Sequence, residues 1–178
     1  DPTDPYHCVP KWNDRQYFWM EHTPEGQTAF DNDRCPVCRK VSRDRSRTSC
    51  SCGSPLPRPQ VSKANGTRLV RGFRSSYRRM KWDTPGGTLT MNSGVISSDL
   101  KGHPDQNRVL SIREIILLST LEHPRWKKAY SFEGIEYGRT KKGDAFSKKL
   151  VREVVGESIP PLAMARIVER LAELDDRI

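Results

Sequence analysis

Apolar residues are scarce in this sequence. Of its 178 residues, 34% are hydrophobic and 8% are aromatic. We therefore expect a modest core, and we expect part of the apolar surface to need a partner chain. No apolar run reaches the roughly twenty residues that a membrane-spanning helix needs. The sequence therefore predicts no membrane partner, and we expect a cytoplasmic protein.

Acidic residues are almost absent from the middle of the chain. From Cys35 to Trp82, thirteen residues are Lys or Arg and Asp44 is the one acid, in a chain whose net charge is +9. A basic block in a folded chain suggests a polyanionic partner such as a nucleic acid. For the stretch from Arg39 to Arg47, a solvated basic loop is an equal alternative.

Four of the five cysteines form two close pairs. Eleven residues separate Cys35-Pro36-Val37-Cys38 from the second pair, Cys50-Ser51-Cys52-Gly53. Each tight turn would present two thiolates, and the loop between them would bring the pairs together, as a tetrahedral Zn²⁺ site requires. We predict a structural zinc site in the loop 31–54, with the ligands Cys35, Cys38, Cys50 and Cys52. Free thiols, one disulfide, or a ligand exchanged for His7 or Cys8 are the alternatives.

Residues typical of helix N-termini predict two helices. Ser111 precedes Glu114 by three residues, which is the spacing of a capping box. The apolar stripe that follows predicts a helix that Pro124 ends. Its members are Ile112, Ile115, Ile116, Leu118 and Leu121. Asn13 is a candidate N-cap for a short helix near the start of the chain.

The spacing of apolar residues and the positions of Gly and Pro indicate further helices and strands. We expect a helix from Ala145 to Val155, with Asp144 as its cap and Gly156 as its stop, and a last helix that opens at Pro160-Pro161. Alternation from Thr88 to Met91 predicts a strand. The β-formers from Thr67 to Trp82 favour another strand, in which arginines alternate with apolar residues.

Three stretches from Trp82 onward carry a specific combination of motifs. Trp82-Asp83 is followed by Thr88-Leu89-Thr90, then by His103-Pro104 and Ser111-Ile112-Arg113-Glu114, and finally by Val154 to Ala163. In this order they resemble DNA (cytosine-5) methyltransferases. The first stretch is similar to the end of that family's target-recognition region, and the other two are similar to its last conserved motifs.

The resemblance implies an α+β fold in two parts. Residues 1–106 would form an irregular, β-rich target-recognition domain that includes the zinc loop 31–54. Residues 107–178 would form a helical segment that packs on a doubly wound α/β methyltransferase domain missing from this chain. The Gly-rich cofactor loop, the Pro-Cys nucleophile, and the Glu-Asn-Val and Gln-x-Arg-x-Arg motifs of that domain do not occur in the sequence. The chain is therefore expected to be inactive alone, either as a subunit of a split enzyme or, as Asp1 in place of Met favours, as a cut chain.

The resemblance also assigns roles to residues, none of them catalytic. DNA contacts are expected from Arg71, Arg74, Tyr77, Arg78, Arg79, Thr88, Leu89, Thr90 and Asn92. Docking to the catalytic domain is expected from Arg108, Arg113 and Glu114, and contact with S-adenosylmethionine from Glu157 and Ser158. Two departures from the family pattern affect these roles: Gly86-Gly87 replaces a proline-containing pair, and Glu157 replaces the usual Asn.

The expected partners are double-stranded DNA and the catalytic half of the same methyltransferase, in a bacterial or phage-encoded protein. A role in restriction-modification and another methylation role remain open. A non-enzymatic, zinc-stabilised DNA-binding module is the main alternative function. A zinc-ribbon RNA-binding protein has only the charge and the cysteines in its favour.

Overall fold

A computed structural model of the chain describes residues 4, 6–73, 75–98, 102–126 and 148–175. Within them lie four α-helices, one 3₁₀ turn and two strands. These are α1 (Asp14–Glu21), the 3₁₀ turn Ala29–Asp31, β1 (Gln60–Lys63), β2 (Gly66–Leu69), α2 (Ile112–Leu118), α3 (Lys148–Glu157) and α4 (Pro161–Asp175). The strands β1 and β2 form an antiparallel hairpin in which Gln60 faces Leu69. The predicted cap Asp144 and the predicted DNA contact Arg74 lie outside the described residues.

The chain divides into two compact units. Unit 1 combines Asp1–Cys8, Thr88–Asn92 and Leu110–Ile178, and unit 2 combines Val9–Gly87 and Ser93–Val109. The division differs from the expected break after residue 106, because the N-terminal stretch and residues 88–92 fold with the C-terminal helices. Unit 2 is thus inserted, in sequence, within unit 1.

Helix α1 supplies part of the core of unit 2. Asn13 caps it as predicted, because its side chain accepts the N–H of Gln16 at 3.0 Å while the Gln16 side chain accepts the N–H of Asn13. Trp19 and Met20 on this helix are buried. The ring of Trp19 meets the ring of Tyr77 edge-on, with centroids 5.5 Å apart. Aromatic packing of this kind allows a small number of apolar residues to form a core.

The described part of unit 2 is irregular, but it is not β-rich as we expected. The strand predicted from Thr67 to Trp82 stops at Leu69, and only isolated bridges follow at Arg78 and Arg79. The strand predicted from Thr88 to Met91, in unit 1, is not formed either. Strand propensity reflects packing against neighbouring strands, and within the described residues neither segment forms a continuous ladder with another strand.

The buried guanidinium of Arg79 holds several loops of unit 2 together. Its side chain is almost inaccessible to solvent. It donates hydrogen bonds to the carbonyl oxygens of Met20, Thr23, His103 and Gln106, and to the side-chain oxygen of Asn107. Desolvation by burial lowers the pKa of Arg79 from its ordinary value. Arg79 therefore has a structural position in the interior, which does not favour the DNA contact predicted for it.

A second buried arginine, Arg58, holds the backbone of the zinc loop together. It is fully buried between Pro57 and Pro59. Its guanidinium donates to four carbonyl oxygens at 2.6 to 3.1 Å, those of Asn32, Ser42, Asp44 and Arg47. Three of these carbonyls belong to the basic stretch between the cysteine pairs. The backbone of that stretch is therefore fixed by one side chain rather than by a sheet.

Helix α2 in unit 1 starts where the capping box predicts. The Ser111 side chain accepts the N–H of Glu114 at 3.1 Å, and the Glu114 carboxylate accepts the N–H of Ser111 at 2.6 Å. The helix ends at Leu118, before Pro124, because Thr120 adopts a left-handed conformation with φ of 57°. Of the predicted stripe, Ile112, Ile115, Ile116 and Leu121 are buried, whereas Leu118 is exposed.

Two arginines tie the N-terminal stretch to the helices of unit 1. Arg113 pairs with Asp4 at 2.7 Å and with Glu122. The hydrogen bond with Arg113 holds the pKa of Asp4 below its ordinary value. Arg152 on α3 is buried and donates to the carbonyl oxygens of Leu110 and Cys8.

Helix α3 runs through Gly156 to Glu157, so Gly156 does not stop it as predicted. Gly156 serves instead as a point of close approach. A Cβ built there would lie 2.4 Å from the carbonyl carbon and oxygen of Thr90. The helix and the stretch 88–92 can lie this close because residue 156 has no side chain.

Helix α4 begins at Pro161 as expected, and in this structure it buries none of its residues. Its predicted apolar stripe is Leu162, Ala163, Ile167, Val168, Leu171 and Leu174. Ile167, Val168 and Leu171 are more than half exposed. An amphipathic helix normally covers such a face. None of the helices in the described part of the chain has the length and apolar character that crossing a bilayer demands.

We predict that Arg79→Met lowers the free energy of unfolding by about 3 kcal/mol or more, because four buried carbonyl groups lose their donor. Urea denaturation followed by tryptophan fluorescence measures the change. The exposed Arg71→Met is the control and should stay within about 0.5 kcal/mol of the parent. Equal stability of the two variants would contradict the structural role.

We predict that Gly156→Ala destabilises unit 1. In an open helix this change would stabilise by about 1 kcal/mol, since alanine is the better helix former. Here the new methyl group would overlap the backbone of Thr90. Lys149→Ala, on the exposed side of the same helix, is the matched control. A rise in thermal midpoint for Gly156→Ala would show that the close approach does not constrain the helix.

Candidate metal centre and nucleic-acid interface

The four paired cysteines converge on one point of unit 2. The Sγ atoms of Cys35, Cys38, Cys50 and Cys52 all lie within 4.8 Å of one another. Cys35 and Cys52 are 3.7 Å apart, and Cys38 and Cys50 are 3.5 Å apart. A regular Zn²⁺–thiolate tetrahedron with bonds of about 2.3 Å has sulfur–sulfur edges of about 3.8 Å. The grouping predicted from sequence is confirmed, and its dimensions suit a zinc ion.

The distances also decide between the alternatives for these thiols. A disulfide requires sulfur atoms about 2.05 Å apart, and the four cysteines are not bonded to one another. Cys8 belongs to unit 1 and is not a member of the cluster. Among the described residues, neither Cys8 nor His7 replaces a ligand in the group.

Two short turns shape the site. In the first, Cys35 accepts the N–H of Arg39 through its carbonyl group, and Arg39 has φ of 61°. In the second, Cys50 accepts the N–H of Gly53, which has φ of 86°. Each turn therefore places a left-handed residue directly after its second cysteine. Buried Leu56 packs against Cys35 and Cys50 and shields that side of the cluster.

Backbone N–H groups favour thiolates in this cluster. Hydrogen bonds from the hydroxyl and then the N–H of Ser54 lower the pKa of Cys52 to about 6. The N–H of Cys52 lowers the pKa of Cys50. At Cys38 the N–H of Lys40 acts in the same direction, but burial and the neighbouring thiols prevail and raise the pKa to about 11. A divalent cation at the cluster would compensate the burial and the neighbouring thiols that disfavour the thiolate of Cys38.

The residues predicted to contact DNA occupy different environments. Tyr77 is buried in the aromatic core of unit 2, with its ring against Trp19 and Phe30, so it packs in the core, and a DNA contact for it stays a prediction. Arg78 is partly buried, and its Nε donates to the Gly26 carbonyl at 3.1 Å. Arg71 is exposed. Of these arginines, Arg71 is best placed for an external ligand.

The stretch 88–92 carries the remaining predicted DNA contacts. Thr88 and Asn92 are exposed, whereas Leu89 and Thr90 are half-buried. Gly156 lies directly against the Thr90 backbone. The end of α3 therefore sets the position of this stretch within unit 1. A DNA-contacting role for the four residues stays a prediction.

The predicted docking and cofactor residues have neighbours within the chain. Arg108 donates to the Val109 carbonyl at 3.1 Å, and Arg113 and Glu114 make the unit 1 contacts described above. Glu157 is exposed at the end of α3, while the Ser158 hydroxyl donates to the Val155 carbonyl at 2.7 Å. The described residues thus leave one free side chain, that of Glu157, toward S-adenosylmethionine. Contact of Glu157 and Ser158 with S-adenosylmethionine stays a prediction.

Sequence reasoning did not identify Arg58, although the structure makes it central to the zinc loop. The one local signal is its position between Pro57 and Pro59, because the two prolines restrict the backbone on both sides of Arg58. Its partners are distant carbonyl groups, which no local pattern reveals.

Comparison with known proteins finds relatives of almost the whole chain. It is 30% identical over 180 residues to the type II methyltransferase M1.HgaI of Avibacterium volantium, which covers 93% of this chain and 39% of that protein. It is 27% identical over 114 residues to the type II methylase M.HgiDII of Herpetosiphon aurantiacus, which covers 64% of this chain and 28% of that protein. The chain therefore spans less than half the length of these relatives. No family model matches the chain.

We predict that Cys35→Ser loses bound zinc and loosens the loop 31–54, because three thiolates and a hydroxyl hold the ion less well than four thiolates. Metal content per chain, together with the thermal midpoint before and after chelation, measures the effect. Cys8→Ser is the matched control and should retain the ion. Equal metal content in the two variants would contradict a four-cysteine site.

Proposed function

Because the chain is homologous to type II methyltransferases, we propose that it is the target-recognition part of a DNA (cytosine-5) methyltransferase. In this role it holds the duplex and chooses the sequence, while a separate catalytic domain performs the chemistry. S-adenosylmethionine would supply the methyl group in the complete enzyme. The motifs from Trp82 to Glu114 and from Val154 to Ala163 support the cytosine-5 assignment, since they resemble that family in the correct order.

The observation that carries the proposal is the exposed apolar face of α4. This helix buries no residue against the described part of the chain, although its sequence is amphipathic. Ile159, in the turn before it, is 62% exposed. An isolated DNA-binding module has no use for such a face, whereas a segment that packs on a catalytic domain requires it. The relatives, which are more than twice as long as this chain, have room for such a domain.

Cytosine methylation at C5 explains why a recognition part is needed. The ring atom lies inside the stacked duplex, so the target base must leave the helix before it can react. A protein that holds the flanking backbone can keep the opened duplex in place. The exposed Thr88 and the half-buried Leu89, followed by Thr90 and Asn92, are the proposed contacts near the extruded base. Arg71 and Arg78 are the proposed contacts farther along the duplex.

We also propose that zinc has a structural role in unit 2. The four cysteines already have the separations that the ion needs, and the loop around them contains little regular structure. Closing this loop through a metal limits the conformations that the unfolded chain can adopt. None of the four positions is proposed to be open to a substrate, so the ion would take no part in methyl transfer.

We predict that duplex DNA acquires 5-methylcytosine only when this chain is combined with a catalytic half that carries the family's Pro-Cys and Gly-rich motifs. Nucleoside mass spectrometry identifies the modified base, and each half alone serves as a control. Methylation at an exocyclic nitrogen would contradict the cytosine-5 assignment. Tight DNA binding with no methyl transfer in the mixture would favour the non-enzymatic DNA-binding module.

A further inference from the structure

Four cations between the two cysteine pairs are exposed, and none of them forms a salt bridge within the described part of the chain. They are Arg39, Lys40, Arg43 and Arg47. The fifth cation between the pairs, Arg45, is paired with Asp31 at 3.0 Å. The Asp44 carboxylate accepts the N–H and the hydroxyl of Ser46 at 2.9 and 2.6 Å, and Arg47 interacts with it electrostatically.

The conformation of Arg39 adds an independent observation. Its φ of 61° lies in the left-handed region, which is unfavourable for a residue with a Cβ. The equivalent position of the second cysteine turn holds Gly53, which adopts such a φ without strain. An arginine therefore occupies a position where glycine would serve the fold better. Strain of this kind is typical of functional positions.

The backbone beneath these cations is held in place. Arg58 binds the carbonyl groups of Ser42, Asp44 and Arg47, and the cysteine cluster closes the loop on its other side. Four like charges on a fixed loop repel one another, and a polyanion removes that repulsion. Binding to a preformed loop also avoids the entropic cost of ordering it.

We propose that the zinc loop binds the phosphate backbone of duplex DNA through Arg39, Lys40, Arg43 and Arg47. This inference rests on the proposed function, because it takes the DNA partner from there and adds a second contact surface, formed by the zinc loop, to the one predicted around Arg71. Contacts to phosphates hold the duplex in register and carry no sequence information. The loop therefore contributes affinity for DNA of any sequence.

The salt dependence of DNA binding tests the proposal. We compare the 178-residue chain with Arg39→Gly and with Arg43→Gln on two short duplexes of unrelated sequence, between about 50 and about 200 mM salt. Arg39→Gly removes the cation and relieves the backbone strain, so it separates binding from folding. Arg170→Gln, on α4 in unit 1, is the control that removes an exposed positive charge elsewhere.

For each loop variant, the negative slope of log K against log salt should become shallower by about 0.9, which corresponds to one lost phosphate contact. Affinity at low salt should fall several-fold on both duplexes. For Arg39→Gly, the zinc content should stay at the parent value and the thermal midpoint should not fall below it, because the change relieves the left-handed strain. Arg170→Gln should bind as the parent does.

Three outcomes would overturn the proposal, and they are distinguishable. Loop variants that match Arg170→Gln in slope and affinity would remove the loop from the interface while leaving the proposed function intact. A loss confined to one of the two duplexes would point to base contacts instead. Failure of the parent chain to bind either duplex would remove the proposed function as well.

Discussion

Carbonyl groups in irregular backbone need hydrogen-bond donors once they are buried, and this constraint shapes unit 2. A sheet would satisfy them through its ladder, but the described part of unit 2 has two strands of four residues each. Arg58 and Arg79 supply the donors instead. Each guanidinium group offers five N–H donors in a fixed plane, so one side chain can bind carbonyl groups from several loops. A basic composition therefore serves the interior as well as the surface.

The features that could be predicted from the sequence are those set by residues close together in the chain. The helix starts at Asn13 and Ser111 follow from side chains three residues apart, and the cysteine cluster follows from short spacings and a tight turn at each pair. The role of Arg79 does not follow from any local pattern. Its acceptors lie between 24 and 59 residues away, and Arg78 and Arg79 are indistinguishable by pattern. The core position of Tyr77 does not follow from a local pattern either, since only the folded chain shows that its ring faces Trp19.

The two units differ in how complete they are. Unit 2 has an aromatic core, a candidate metal site and internal partners for its buried arginines. In unit 1, the isoleucines of α2 are buried and the N-terminal stretch is held by Arg113 and Arg152. The last helix, in contrast, exposes most of its apolar side chains. The relatives of this chain are more than twice as long as it is. The exposed apolar face of α4 therefore agrees with the proposal that a further domain covers it.

The pairing of Asp4 with Arg113 has a consequence for the order in which the chain folds. The two residues are 109 positions apart in sequence, so the pair cannot form until most of the chain has left the ribosome. Closing so long a loop costs entropy, and the cost grows with the logarithm of its length. If unit 2 collapses first, the loop that remains to be closed becomes much shorter. The sequence arrangement therefore favours nucleation in the inserted unit, with the flanking segments assembling last.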